Sequence, residues 1–160
     1  MRRWALFVLP WTALALGWWA QEIPGWSDAS DGIPFEASGD FGVLLIRAQI
    51  NGQAATLLVD TGSSHTLLSP ELLQVRPFAL EQAGPPVRES GFTGRAGWAK
   101  ATIRLGADTW RDHEVLVTED LHQISKNMKQ RVDGILGEDL LKEFHFVLID
   151  FKSRRLVLRR

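Results

Sequence analysis

From Phe41 onward the chain alternates between short apolar runs and turn-forming residues. FGVLLIRAQI (41–50) and QAATLLVD (53–60) are strand-like and are separated by Asn51-Gly52. That dipeptide predicts a hairpin, because a type I′ turn needs two residues that tolerate positive φ. Ser69-Pro70-Glu71-Leu72-Leu73 predicts a short helix, with Ser69 as N-cap, proline in the first helical position and an acid in the first turn. Gly84-Pro85-Pro86 breaks the chain, and VRESGFTGRAGWAKATIRLG (87–106) predicts a strand pair. Gly91, Gly94 and Gly97 in its middle give that pair an open, mobile tip. Gly106-Ala107-Asp108 turns into another strand-like run, TWRDHEVLVT, while residues 119–131 are polar and predict a loop or a frayed turn. Val132–Gly137 then leads into EDLLKEF (138–144), which predicts an amphipathic helix with acids at its start and Leu140, Leu141 and Phe144 on one face. HFVLIDF (145–151), a KSRR turn and the strand LVL (156–158) complete the chain. HFVLIDF is apolar on both alternating faces, which predicts a strand covered on both sides or lying in a subunit interface. The sum is mostly β with one or two short helices, and the lack of a long crossover helix argues against a parallel βαβ sheet.

The first 40 residues follow a different pattern. Met1-Arg2-Arg3 precedes 17 residues without a charge, and five of the seven tryptophans fall in the first 26 residues. A basic start, an apolar run and small residues form the pattern of a secretory signal, with Ala13-Leu14-Ala15 as a cleavage site and Pro10 ahead of it. Residues 4–20 as a helix would reach about 25 Å, slightly short of a hydrocarbon core, and Trp18-Trp19 stand where an interfacial belt would lie. The expectation is export to the periplasm or the cell exterior, with residues 1–20 a signal peptide or an N-terminal membrane anchor. Residues 21–40 are rich in Gly, Pro, Ser and Asp; 21–34 are expected to be a linker, and 35–160 the folded domain.

Charge and composition narrow the chemistry. Eighteen Lys and Arg against 19 Asp and Glu leave a net charge of −1, so no nucleic-acid partner is expected. The chain has no cysteine, which excludes disulfides, thiol catalysis and zinc ribbons. His65, His113, His122 and His145 show no metal-ligand spacing and are read as surface or capping groups. Ser63-Ser64-His65 lies outside any G-x-S-x-G elbow, and Gly91-x-x-Gly94-x-x-Gly97 lacks a P-loop lysine. No metal or cofactor is expected.

What remains is Leu57-Leu58-Val59-Asp60-Thr61-Gly62-Ser63-Ser64. An apolar strand delivers a carboxylate, Gly62 lets the backbone turn sharply, and hydroxyls stand ready to hydrogen-bond the loop. A second element, Val132-Asp133-Gly134-Ile135-Leu136-Gly137, follows about 75 residues later and opens a helix. Together these resemble the retropepsin-like aspartic proteases, single-lobe relatives of pepsin, over about residues 35–160. The resemblance implies a closed β-barrel with a flap hairpin. It assigns Asp60, Thr61 and Gly62 to the catalytic loop, and Ser63, Ile135, Leu136 and Gly137 to its support. Gly91, Phe92, Thr93, Gly94 and Gly97 fall where the family has its substrate-binding flap, which here lacks a tyrosine.

Peptide hydrolysis between carboxylates needs two of them, with pKa values split by their proximity. The chain has one D-T-G. Asp133 is read as shaping its loop, Asp139 as a helix N-terminal acid and Asp150 as a strand end. The second carboxylate is therefore expected from Asp60 of another copy in a two-fold homodimer acting on a peptide or protein. The alternative is an exported, non-proteolytic binding or assembly module that keeps the fold.

Overall fold

The structure, a computed structural model, describes residues 32–38, 42–73 and 96–160. Among the described residues nine strands follow in chain order: β1 (Ile33–Ser38), β2 (Val43–Ile50), β3 (Gln53–Val59), β4 (Leu67–Leu68), β5 (Ala96–Leu105), β6 (Asp108–Thr118), β7 (Gly134–Leu136), β8 (Phe146–Asp150) and β9 (Arg155–Arg159). Three helices accompany them: α1 (Pro70–Leu73), α2 (Leu121–Met128) and α3 (Glu138–Leu141).

Asn51 and Gly52 have φ of 49° and 82°, so the β2–β3 hairpin turns as its dipeptide predicts. Asn51 also pins the neighbouring hairpin: its N–H donates to the Thr102 carbonyl (2.8 Å) and its Oδ1 accepts the Thr102 N–H (2.8 Å). Thr102 sits at a register shift between β5 and β6, where Asp112 takes a φ of 51°. Because β2 pairs with both β3 and β5, the pairings close a ring in the order β2-β3-β7-β4-β6-β5. The strands β1, β9 and β8 extend the sheet from β2.

The period of two sorts apolar side chains onto two sides of the ring. Leu57, Leu68, Val115, Val117 and Leu136 join the main core. Their neighbours Leu67, Leu116 and Ile135 form a second cluster with Leu121, against which Leu58 and Ile124 pack. Helix α2 thus covers the second side, and the strands around the Asp60 loop are buried on both.

Several elements differ from their sequence expectation. The polar run 119–131 predicts a loop or a frayed turn, yet 121–128 form α2, because Leu121 and Ile124, one turn apart, face the second cluster. Its end is set by Lys129 in the left-handed region (φ 51°), with the Gln130 N–H donating to Ser125 O. EDLLKEF is helical only over α3; the Glu143 and Phe144 N–H groups donate to Leu140 and Leu141, a tighter turn that still buries Phe144. Pairing begins at Ile33, two residues ahead of the expected domain start. Gly97 was placed at an open tip but is buried in β5 opposite Val117; Gly91, Phe92, Thr93 and Gly94 lie outside the described residues. Among the described residues β8 pairs only with β9; its residues Val147–Asp150 are half-buried, and Phe146 and the adjoining Phe151 are exposed, so the described residues do not cover this strand on both sides.

Candidate active site

β3 ends at Val59 and hands the chain to Asp60 at the mouth of the ring. The Asp60 N–H donates to the Leu136 carbonyl (3.1 Å), which continues the parallel β3–β7 pairing one step past the strand. Its carboxylate Oδ1 accepts the Gly62 N–H (2.8 Å), and its carbonyl accepts the Ser63 N–H (3.3 Å). Ser63 is buried and inward: its hydroxyl donates to the His65 carbonyl (2.8 Å), while its own carbonyl accepts the Glu138 N–H (2.8 Å). Asp60 is half-buried, and Thr61 and Gly62 are exposed. The loop is therefore fixed from below and open above.

The second loop presses against the first with no room for side chains. A Cβ on Gly137 would come within 2.4 Å of the His65 carbonyl carbon and oxygen, and one on Gly134 within 2.6 Å of the Leu67 oxygen. Glycine at both positions is a steric requirement of the crossing. Ile135 and Leu136 are buried on opposite sides of the ring. All the predicted residues of the two loops thus converge at one end of the ring.

The other aspartates have separate tasks. Asp133 is buried; its Oδ2 accepts the Thr56 N–H (2.9 Å) and its Oδ1 meets Arg131 Nε (2.6 Å), while its main chain bonds Thr56 and Ser69. Asp133→Ala is expected to leave the buried Thr56 N–H unsatisfied and to cost about 2–3 kcal/mol in urea unfolding, with Asp133→Asn costing less. Asp150 caps the turn after β8 through Lys152 and Ser153, and those hydrogen bonds hold its carboxyl below the usual range.

Two participants, both bonded to the helix N-terminal acid Asp139, escaped the sequence reading. Thr66 is fully buried; its hydroxyl donates to Asp139 Oδ1 (2.7 Å) and accepts the Gly137 N–H (3.2 Å). His113, expected at the surface, reaches Asp139 Oδ2 through Nε2 at 2.9 Å with its side chain only 20% exposed. Burial raises the Asp139 carboxyl, but hydrogen bonds from Thr66 and His113, together with the His113 charge, outweigh it and hold the group below its ordinary value. The only sequence signal for this network was an acid next to the I-L-G element. The His65 and Trp98 rings also meet edge-to-face (5.0 Å), joining the Asp60 loop to β5.

A cleft of about 570 Å³ lies between α1 and α2, lined in part by Glu71, His122, Lys126 and Arg131; it does not include the Asp60 loop. Among the described residues no group of three or more His, Asp or Glu is placed to hold a metal ion.

A strand ring whose two loops cross backbone-on-backbone beneath a single D-T-G defines a retropepsin-like fold. The comparisons agree. The fold is similar to a retropepsin-like aspartic protease from Rickettsia conorii, with a TM-score of 0.56 and 19% identity over 80% of this chain and 91% of that one. It is also similar to the retroviral protease-like domain of Ddi1 from Leishmania major, with a TM-score of 0.51 and 19% identity over 72% and 87% of the two chains. In sequence, residues 46–140 match the aspartyl protease family model, and the chain belongs to that family. No curated protein matches it in sequence.

Proposed function

We propose that the protein is an exported aspartic endopeptidase that cleaves peptide bonds between the Asp60 carboxylates of two copies. The observation that carries this reading is the division of labour among the carboxylates. Asp133 and Asp139 are engaged inside the fold, while Asp60 stands at the open end of the ring on a braced loop. A two-fold axis at that end would set two Asp60 side chains together and cover Thr61 and Gly62. The outer edge of β8, unpaired among the described residues, with Phe146 37% and Phe151 66% exposed, gives the dimer further apolar surface to bury.

In such a dyad, repulsion leaves one carboxylate ionised and the other protonated. The ionised Asp60 takes a proton from water as the water oxygen attacks the substrate carbonyl carbon. The protonated Asp60 gives its proton to the carbonyl oxygen, producing a neutral tetrahedral diol. Collapse of the diol returns a proton to the departing nitrogen and breaks the C–N bond. Thr61 would brace the two loops across the axis, and residues 91–94, ahead of β5, would hold an extended peptide by strand pairing.

Digestion of a diverse peptide library by the full-length protein, read by mass spectrometry across pH, tests the activity. The dimer has its own test, because the chain contains no cysteine. Thr61→Cys should oxidise readily to a disulfide-linked dimer, whereas Ala107→Cys, exposed on the β5–β6 turn away from both the Asp60 loop and β8, should not. Equal linking of both variants would refute an axis at the Asp60 loop. Residues 1–20 supply the export signal or anchor in this reading; a topology reporter fused after Arg160 should report from outside the cytoplasm, and a cytoplasmic signal would refute export.

A further inference from the structure

The peptide unit between Leu136 and Gly137 is held at both ends. Its carbonyl accepts the Asp60 N–H (3.1 Å), and its N–H donates to the Thr66 hydroxyl oxygen (3.2 Å). A peptide unit is planar and stiff, so rotation imposed at one end is delivered to the other. What fixes the Thr66 end is a chain of side chains outside both sequence motifs. A hydroxyl carries one proton, and that of Thr66 goes to Asp139 Oδ1 at 2.7 Å, which leaves its lone pairs for Gly137. An ionised carboxylate only accepts, so Asp139 Oδ2 receives the Nε2–H of His113 at 2.9 Å. The side chains of Asp139 and His113 are 12% and 20% exposed, so water competes weakly for these bonds. The three residues come from the loop before β4, from α3 and from β6, and Leu116 of β6 also donates its N–H to the Thr66 carbonyl (3.0 Å).

We propose that His113, Asp139 and Thr66 form a positioning relay: they set the rotation of the Leu136–Gly137 peptide plane and, through the Leu136 carbonyl, the seat of Asp60. The inference rests on Asp60 being the catalytic carboxylate, and none of the three relay residues touches the substrate. Strength in the relay is cooperative, because the direction of each hydrogen bond is dictated by the next. Its loss should tilt the loop without dismantling the ring, whose core lies on other contacts.

The test uses the full-length protein with Thr66→Val, His113→Ala and His113→Gln, the last retaining a donor toward Asp139. Amide hydrogen exchange is followed at Asp60 and Gly137, with Ile103 and Val117 in the β5–β6 ladder as references. Thr66→Val and His113→Ala should speed exchange at Asp60 and Gly137 by about tenfold or more and leave the references nearly unchanged, while His113→Gln restores much of the protection. On a validated peptide, kcat should fall by about tenfold with KM little altered. Unchanged exchange at the two loop amides, or an equal rise at Ile103 and Val117, would overturn the relay. Faster loop exchange with unaltered kcat would overturn its link to Asp60. Should Thr66→Val fail to fold, the more exposed His113 pair still decides. A wild-type protein without peptidase activity would defeat the catalytic reading alone, since the exchange measurement does not use activity.

Discussion

Asp60→Asn is expected to reduce peptide cleavage by about 10³-fold or more while the protein stays folded. The amide is nearly isosteric, and its oxygen can still accept the Gly62 N–H that the carboxylate Oδ1 accepts. What disappears is the base that takes the proton from water and the proton that the second copy would donate. In the wild type, activity should fall on the acid side as both carboxylates become protonated and on the alkaline side as both ionise; the two limits belong to the pair. Cleavage of one peptide by wild type, Asp60→Asn and Asp133→Asn at matched fold content is the measurement. Asp133→Asn should keep substantial activity, since Asp133 supports Thr56 and Arg131 from inside the fold. An Asp60→Asn protein that cleaves like the wild type would end the protease reading and favour a binding module with the same fold.

The second large effect is expected from Gly137→Ala. The added methyl would sit 2.4 Å from the His65 carbonyl carbon and oxygen and 2.9 Å from the Thr66 nitrogen. These neighbours are backbone, so no side-chain rotation relieves the clash and the two loops must separate. Separation stretches the hydrogen bonds that tie Asp60 to Leu136 and Gly137 to Thr66. A loss of about 3 kcal/mol or more in urea unfolding is expected, along with loss of activity. Gly52→Ala is the contrasting case: its Cβ would meet nothing within 4 Å, and the strain comes only from a φ of 82°, worth about 1–2 kcal/mol. Equal stability of wild type and Gly137→Ala would show that the loops do not cross as described.

How far the sequence foretells this arrangement depends on the range of the interactions. The Asn51-Gly52 turn and the exit of β3 into Asp60 are local, written in residues that adjoin one another, and both stand where the pattern sets them. The crossing of the loops was legible because glycine is costly to replace there and leaves a recognisable I-L-G. Helix α2 was missed because Leu121 and Ile124 are too few to outweigh the polar residues around them; the partner they need, the outer side of Leu67, Leu116 and Ile135, exists only once the ring has closed. Likewise, His113 and Asp139 are 26 residues apart, and nothing in either neighbourhood announces the other. EDLLKEF carried a helical period that the chain uses to bury Phe144, but by a tighter turn after Leu141.

The place of β7 in the ring bears on when the site can form during synthesis. β3 and β4 flank the Asp60 loop in sequence, yet they do not pair with each other; the three residues of β7 lie between them, parallel to one and antiparallel to the other. A nascent chain that has emerged as far as Val132 therefore has an Asp60 N–H with no carbonyl to receive it and two strands with open edges. Closure waits for residues 134–137, about 75 positions after the carboxylate they support. Such late, long-range pairing slows folding. It also means that an incompletely made chain carries the D-T-G sequence without the braced loop.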